Sequence, residues 1–134
     1  MIATRAAVLA LAVAALGAAT AQAQPPAPIT INIVLTGGYH FEPSHIELKQ
    51  GQAYILHLTN PSLNKHGLES KAFFDTVTFP DWSKGRVNAR GDIEVWPGQW
   101  NDVAFTPNAP GEYDIHSPDT GDEILGMKGQ IVVR

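Results

Sequence analysis

The chain has 134 residues with nine basic and 13 acidic side chains, a formal net charge of −4 and no cysteine. This length suits a single domain with one hydrophobic core. The acidic balance argues against nucleic acid or an anionic membrane surface as a partner. Because disulfides are excluded, the core alone must stabilise the fold.

The first 23 residues have the pattern of a secretory signal peptide. Arg5 provides a positive start, and residues 6–19 form an apolar stretch that is shorter than the roughly 18 residues a membrane span needs. Ala21-Gln22-Ala23 supplies a small-residue cleavage site. We therefore expect export to the periplasm, a mature chain that begins with a proline-rich leader at residues 24–28, and no stable membrane insertion.

Alternation with a period of two residues dominates residues 29–134 and predicts an all-β domain. Tyr54, Leu56 and Leu58 are predicted to face the interior, and His57 to point away from them. The other predicted strands are short runs of aromatic and β-branched residues bounded by turn residues, at 29–35, 46–49, 73–79, 92–96, 100–106, 111–116 and 130–133. Seven or eight such strands predict a sandwich or a barrel. One turn of helix is expected near residues 70–75.

Three sequence blocks together point to a known family. They are residues 41–52 (FEPSHIELKQGQ), residues 58–68 (LTNPSLNKHGL), and a divided third block of Trp96-Pro97-Gly98, Gly111-Glu112-Tyr113 and Gly126-Met127-Lys128-Gly129. In order and spacing they resemble the cupredoxin family, the superfamily of plastocyanin and azurin, over nearly the whole mature chain. The resemblance implies a Greek-key β-sandwich of about seven to eight strands over residues 29–134.

The resemblance also implies part of a metal site. Blue-copper proteins hold copper with two histidines, one cysteine thiolate and a weak axial methionine. His66 matches the first histidine of the family, and Met127 matches the axial methionine.

The other two family ligands are missing from this chain. Ser117 stands where the family has its cysteine, and residues 118–126 contain no histidine. They offer only Asp119, Asp122 and Glu123 as candidate ligands. Because the thiolate gives a blue site its electronic character, we expect no blue-copper electron transfer.

His116 and His40 are the candidate replacements. The pleat of a regular strand places His116 on the face opposite to Ile115 and Ser117, so that only a bulge would turn it inward. The alternative is a solvent-facing histidine. His40 is placed by the resemblance at the same pole as the metal loop, and its alternative is an exposed loop histidine.

These residues favour metal handling over catalysis. Imidazole and thioether ligands suit copper as Cu(I) or Cu(II), and nearby carboxylates would shift the preference toward iron. The sequence has no nucleophile-and-base, phosphate-loop or zinc-protease motif, so we expect no enzyme activity. Trp82, Trp96 and Trp100 are expected to be core or turn residues.

Two hypotheses follow. In the first, the protein is a periplasmic cupredoxin-like carrier or buffer of copper, or an accessory of iron or copper handling, with a metal site of His66, His116, Met127 and His40. Its partners are the ion and a periplasmic or membrane metal-handling protein. In the second, it is a metal-free cupredoxin-like module that binds a protein partner.

Overall fold

The computed structural model describes residues 17–134, which fold into two five-stranded sheets packed face to face. Residues 1–16, the larger part of the predicted signal peptide, lie outside the described residues. The strands in chain order are β1 (Ile29–Leu35), β2 (Phe41–Glu42), β3 (His45–Leu48), β4 (Tyr54–Thr59), β5 (His66–Glu69), β6 (Val77–Thr78), β7 (Asp92–Val95), β8 (Trp100–Pro107), β9 (Gly111–His116) and β10 (Lys128–Val133). The predicted β-sandwich is confirmed.

The chain passes repeatedly from one sheet to the other. The first sheet has the order β2-β1-β4-β8-β6, and the second has the order β3-β10-β9-β5-β7. The pairs β1–β4 and β3–β10 are parallel, and the other paired strands are antiparallel. In the second sheet β9 lies between β10 and β5, so the segment linking β9 to β10 reaches the end of the sheet where β5 begins.

The core lies between the two sheets and follows the predicted alternation. Tyr54, Leu56 and Leu58 are buried, as predicted. His57 is half-buried on the outer face, where its ring pairs with the Asp102 carboxylate of the neighbouring strand. The register of β4 is therefore the one that the sequence predicts.

The described residues contain two short helices, the first of which replaces part of a predicted strand. The helix turn expected near residues 70–75 is present as α1 (Lys71–Phe74), which buries two phenylalanines, and only β6 of the predicted strand at 73–79 remains. The second helix, α2 (Thr120–Ile124), was not predicted. No helix within residues 17–134 has the length and apolar character needed to cross a membrane.

The structure has about ten strands where the sequence predicts seven to eight. The unpredicted strands are β2 and β5, which have two and four residues. Such segments are too short for alternation to be recognised. His66 is the first residue of β5.

Asp92, at the start of β7, carries a buried carboxyl group. Its Oδ2 accepts a hydrogen bond from Asn88 at 3.2 Å, whereas its Oδ1 is buried without a partner among the described residues. Burial raises the pKa of this carboxyl; the Asn88 hydrogen bond opposes the rise, and the nearby charges of Glu94 and Glu69 add to it.

We predict that Asp92→Asn changes how stability depends on pH. A carboxyl whose pKa is raised by folding contributes stability below its unfolded pKa and loses that contribution as the pH rises through its folded pKa. The amide introduced by this substitution cannot ionise, so the free energy of unfolding of the variant, relative to wild type, should increase from about pH 4 to about pH 7. Urea unfolding at the two pH values measures this.

Asp81→Asn is the control for this prediction, because the Asp81 side chain is 96% exposed. The free energy of unfolding of Asp81→Asn, relative to wild type, should change little between about pH 4 and about pH 7. A constant difference between Asp92→Asn and wild type at both pH values would contradict the prediction.

Candidate functional site

The candidate site lies at the end of the sandwich where β5 begins. The buried side chain of Asn60 connects the loop before β5 to β7. Its Nδ2 donates to the carbonyls of Asn64 and Val95 at 2.8 and 2.9 Å, and its Oδ1 accepts from the Ser62 hydroxyl at 2.7 Å. These bonds fix the loop before β5. They thereby fix the position of His66.

His66 is the centre of a buried hydrogen-bond network. Its side chain is fully buried, and its Nδ1 lies 2.7 Å from Asp122 Oδ2. The Ser117 hydroxyl donates to the same oxygen at 3.1 Å. One carboxylate oxygen therefore lies within hydrogen-bond distance of an imidazole from β5 and of a hydroxyl from the residue that follows β9.

Helix α2 places Asp122 in this network. Asp119 caps the helix, because its Oδ1 accepts the Gly121 N–H at 2.8 Å, and this cap sets Asp122 in the first turn. A carboxylate in the first turn is also favoured by the helix dipole. The cap therefore orients Asp122 toward His66.

Met127 is joined to this network through the backbone. Its N–H donates to the carbonyl of Asp122 at 3.0 Å, and its carbonyl accepts the Ser117 N–H at 3.0 Å. The Met127 side chain is fully buried. His66 and Met127, two of the four residues that the sequence assigned to one site, thus share a connected network with Ser117 and Asp122.

His116 lies outside this network. Its Nδ1 lies 2.9 Å from the Ser117 carbonyl oxygen, and its ring nitrogens are 3.9 Å from carboxylate oxygens of Glu69 and Glu123. The ring is half-buried on the outer face of β9, which is the orientation that the pleat predicts for a regular strand.

His40 lies at the predicted end of the sandwich, on its surface. It is exposed, and its ring approaches Gly126, the residue before Met127: a Cβ built on Gly126 would lie 3.6 Å from the ring. The neighbouring Tyr39 ring meets His66 edge to face, with 5.9 Å between centroids. His40 therefore lies beside the segment that carries Met127, and it does not take part in the hydrogen bonds of His66.

Comparisons with known proteins agree with this architecture. A family model described as cupredoxin-like domain matches residues 6–133. The chain belongs to the cupredoxin family. None of the curated proteins compared with the chain matches it.

Several solved structures are similar to this chain. Reduced auracyanin from the photosynthetic bacterium Roseiflexus castenholzii is 21% identical, with a TM-score of 0.60 over 81% of this chain and 99% of that one. Auracyanin A, a "blue" copper protein from Chloroflexus aurantiacus, is 20% identical, with a TM-score of 0.59 over 81% of this chain and all of that one. A multicopper oxidase from Pseudomonas thermotolerans is 16% identical, with a TM-score of 0.58 over 81% of this chain and 30% of that one. At these identities the likeness shows the fold alone.

The donor set of this cupredoxin does not match a blue-copper site. Within residues 17–134, no three His, Asp or Glu side chains are arranged to hold a metal ion. The network brings the His66 imidazole, the Asp122 carboxylate and the Ser117 hydroxyl together, and Met127 joins it through its backbone.

Proposed function

We propose that this protein is an exported cupredoxin-like carrier that binds one copper ion reversibly through His66, Asp122 and Met127 and passes it to another metal-handling protein. The observation that carries the proposal is the convergence of His66 Nδ1 and Ser117 Oγ on one oxygen of Asp122. Met127 is linked to the same network.

The chemistry of these donors supports copper over other divalent ions. Imidazole and carboxylate ligands bind Cu(II) more tightly than Fe(II), Co(II), Ni(II) or Zn(II), and a thioether favours Cu(I). Iron is the alternative cargo, because Asp122 is a hard oxygen ligand.

The hydrogen-bond partners of the His66 side chain favour release of the ion. A cation at His66 Nδ1 must displace the proton that this nitrogen shares with Asp122. Within the described residues, His66 Nε2 is buried without a hydrogen-bond partner, so a proton on that nitrogen would have no acceptor. Both effects weaken binding, as suits a carrier.

We expect titration of the metal-free protein with Cu(II) to reveal one site without intense colour. His66→Ala and Asp122→Asn should each weaken it by at least about tenfold, the lower limit for loss of even an outer-shell partner. Met127→Leu should weaken Cu(I) binding more than Cu(II) binding. Isothermal titration calorimetry and competition with a chelator measure these affinities.

His45→Ala is the matched control, because the His45 side chain is 57% exposed at the start of β3. It should leave the affinity unchanged. Equal losses in His45→Ala and His66→Ala would indicate nonspecific surface binding, and absence of binding by the wild-type chain would refute the carrier function.

A metal-free interaction module is the second candidate, and exposed apolar side chains favour it. Trp82, Trp96 and Trp100, which were expected to be core or turn residues, are 53 to 62% exposed, so none of them is a core residue. Trp96 follows β7 beside His66, and Lys65 lies 5.7 Å from the centre of its ring. Ile124 and Leu125 are exposed next to Asp122. Large exposed apolar side chains often mark a binding surface.

A further inference from the structure

The turn between β1 and β2 lies over the buried histidine. At one side, a Cβ built on Gly37 would lie 3.6 Å from Ser62, in the loop before β5. At the other side, the His40 ring and the Tyr39 carbonyl lie against Gly126. The turn therefore spans the gap between the two loops that flank His66.

Tyr39 makes the contact between this turn and His66. Its ring is half-buried and meets the imidazole at an interplanar angle of 84°. An edge-to-face aromatic contact of this kind stabilises a structure beyond the apolar area that it buries. Loss of the ring would therefore weaken the attachment of the turn.

The backbone of Tyr39 is strained. Its φ of 60° makes it the one non-glycine residue at positive φ in the described part of the chain. Gly37 and Gly38 directly precede it, yet neither takes the left-handed conformation. Strain on an aromatic residue persists where surrounding contacts hold it in place, and such outliers cluster at functional sites.

The turn is also closed on itself. The Tyr39 N–H donates to the Thr36 carbonyl at 3.1 Å, and the Thr36 N–H donates to the His40 carbonyl at 3.0 Å. The His40 N–H donates to the Thr36 hydroxyl at 3.2 Å. These local bonds hold residues 36–40 together as one closed turn.

We propose that residues 36–40 form a cap that closes the His66 site, and that Tyr39 is the positioning residue that holds the cap shut. Opening exposes the imidazole to solvent and to an incoming ion, so the Tyr39 contact sets how fast cargo enters and leaves. The role in exchange rests on the proposed carrier function, whereas the cap itself does not.

Acylation of histidines by diethylpyrocarbonate, followed by peptide mass spectrometry, tests the cap without any metal. In the wild-type chain, His66 should react far more slowly than His45, which is exposed. Tyr39→Asn removes the ring but suits the left-handed backbone. It should speed acylation of His66 by roughly three- to tenfold, the effect of losing one edge-to-face aromatic contact, with His45 unchanged.

Tyr39→Phe is the matched control, because it keeps the ring. It should leave His66 as protected as in wild type. Thermal unfolding of both variants checks that the fold is retained.

Unchanged protection of His66 in folded Tyr39→Asn would overturn the cap, and so would equal acylation of His66 in Tyr39→Asn and Tyr39→Phe. The rate of Cu(II) release to a chelator tests the link to cargo and should rise in Tyr39→Asn but not in Tyr39→Phe. If the wild-type chain binds no copper, the acylation result still decides the cap, so the two proposals fail separately.

Discussion

The double substitution Ser117→Cys with Asp122→His should give a chain that turns intensely coloured with Cu(II), whereas the wild-type complex should lack that colour. The Ser117 hydroxyl and His66 Nδ1 both reach one oxygen of Asp122, so a thiolate and a second imidazole at these positions would face the same point. With His66 and Met127 they complete two nitrogens, one thiolate sulfur and a thioether. Visible absorption spectra of the Cu(II) forms measure the result.

A matched control for this conversion is His116→Cys with Asp122→His. It introduces the same side chains, but His116 points to the outer face of β9, where it approaches Glu69. This control should stay without the intense thiolate band. If the double variant Ser117→Cys with Asp122→His binds Cu(II) and is also colourless, then positions 66, 117 and 122 do not meet at the ion.

The sequence predicted the strand pattern well because alternation depends only on neighbouring residues. The parity of β9 was read correctly: Ile115 and Ser117 are almost completely buried, and His116 is not. The same rule gave the orientation of Tyr54 and His57. A resemblance over several blocks then placed His66 and Met127 at one end of the sandwich.

The role of Asp122 could not be predicted from local sequence. A carboxylate in the first turn of a short helix is normally exposed. Its partner, His66, lies 56 residues earlier in the chain, so only the folded topology brings the two together. Asp122 is one of three candidate carboxylates in residues 118–126, and nothing in that segment distinguishes it from Asp119 or Glu123.

The strain at Tyr39 was equally hidden. Two adjacent glycines would ordinarily provide the positive φ that a tight turn needs. The structure instead places the left-handed residue at Tyr39, where its ring reaches His66. A tertiary contact, and not the intrinsic preference of the residue, therefore decides the conformation of this turn.

Gly129→Ala should destabilise the fold by about 3 kcal/mol or more, because the new methyl group has no room. A Cβ at this position would lie 2.0 Å from the carbonyl oxygen of Ser44 and 2.9 Å from its carbonyl carbon. That oxygen accepts the Gln130 N–H at 2.8 Å, next to the parallel pairing of β3 with β10. Backbone atoms held in a sheet cannot move aside as a flexible side chain would.

The loss would be a large part of the roughly 5–15 kcal/mol that stabilises a typical domain, and urea unfolding measures it. Gly37→Ala is the control: its Cβ would meet only Ser62 at 3.6 Å, an ordinary contact, and its φ is not positive. It should change the free energy of unfolding by no more than about 0.5 kcal/mol. Equal stability of the two variants would mean that β10 does not pass Ser44 this closely. The segment that carries Met127 into β10 would then lie elsewhere, and the backbone hydrogen bonds of Met127 to Ser117 and Asp122 would not form as the structure shows them.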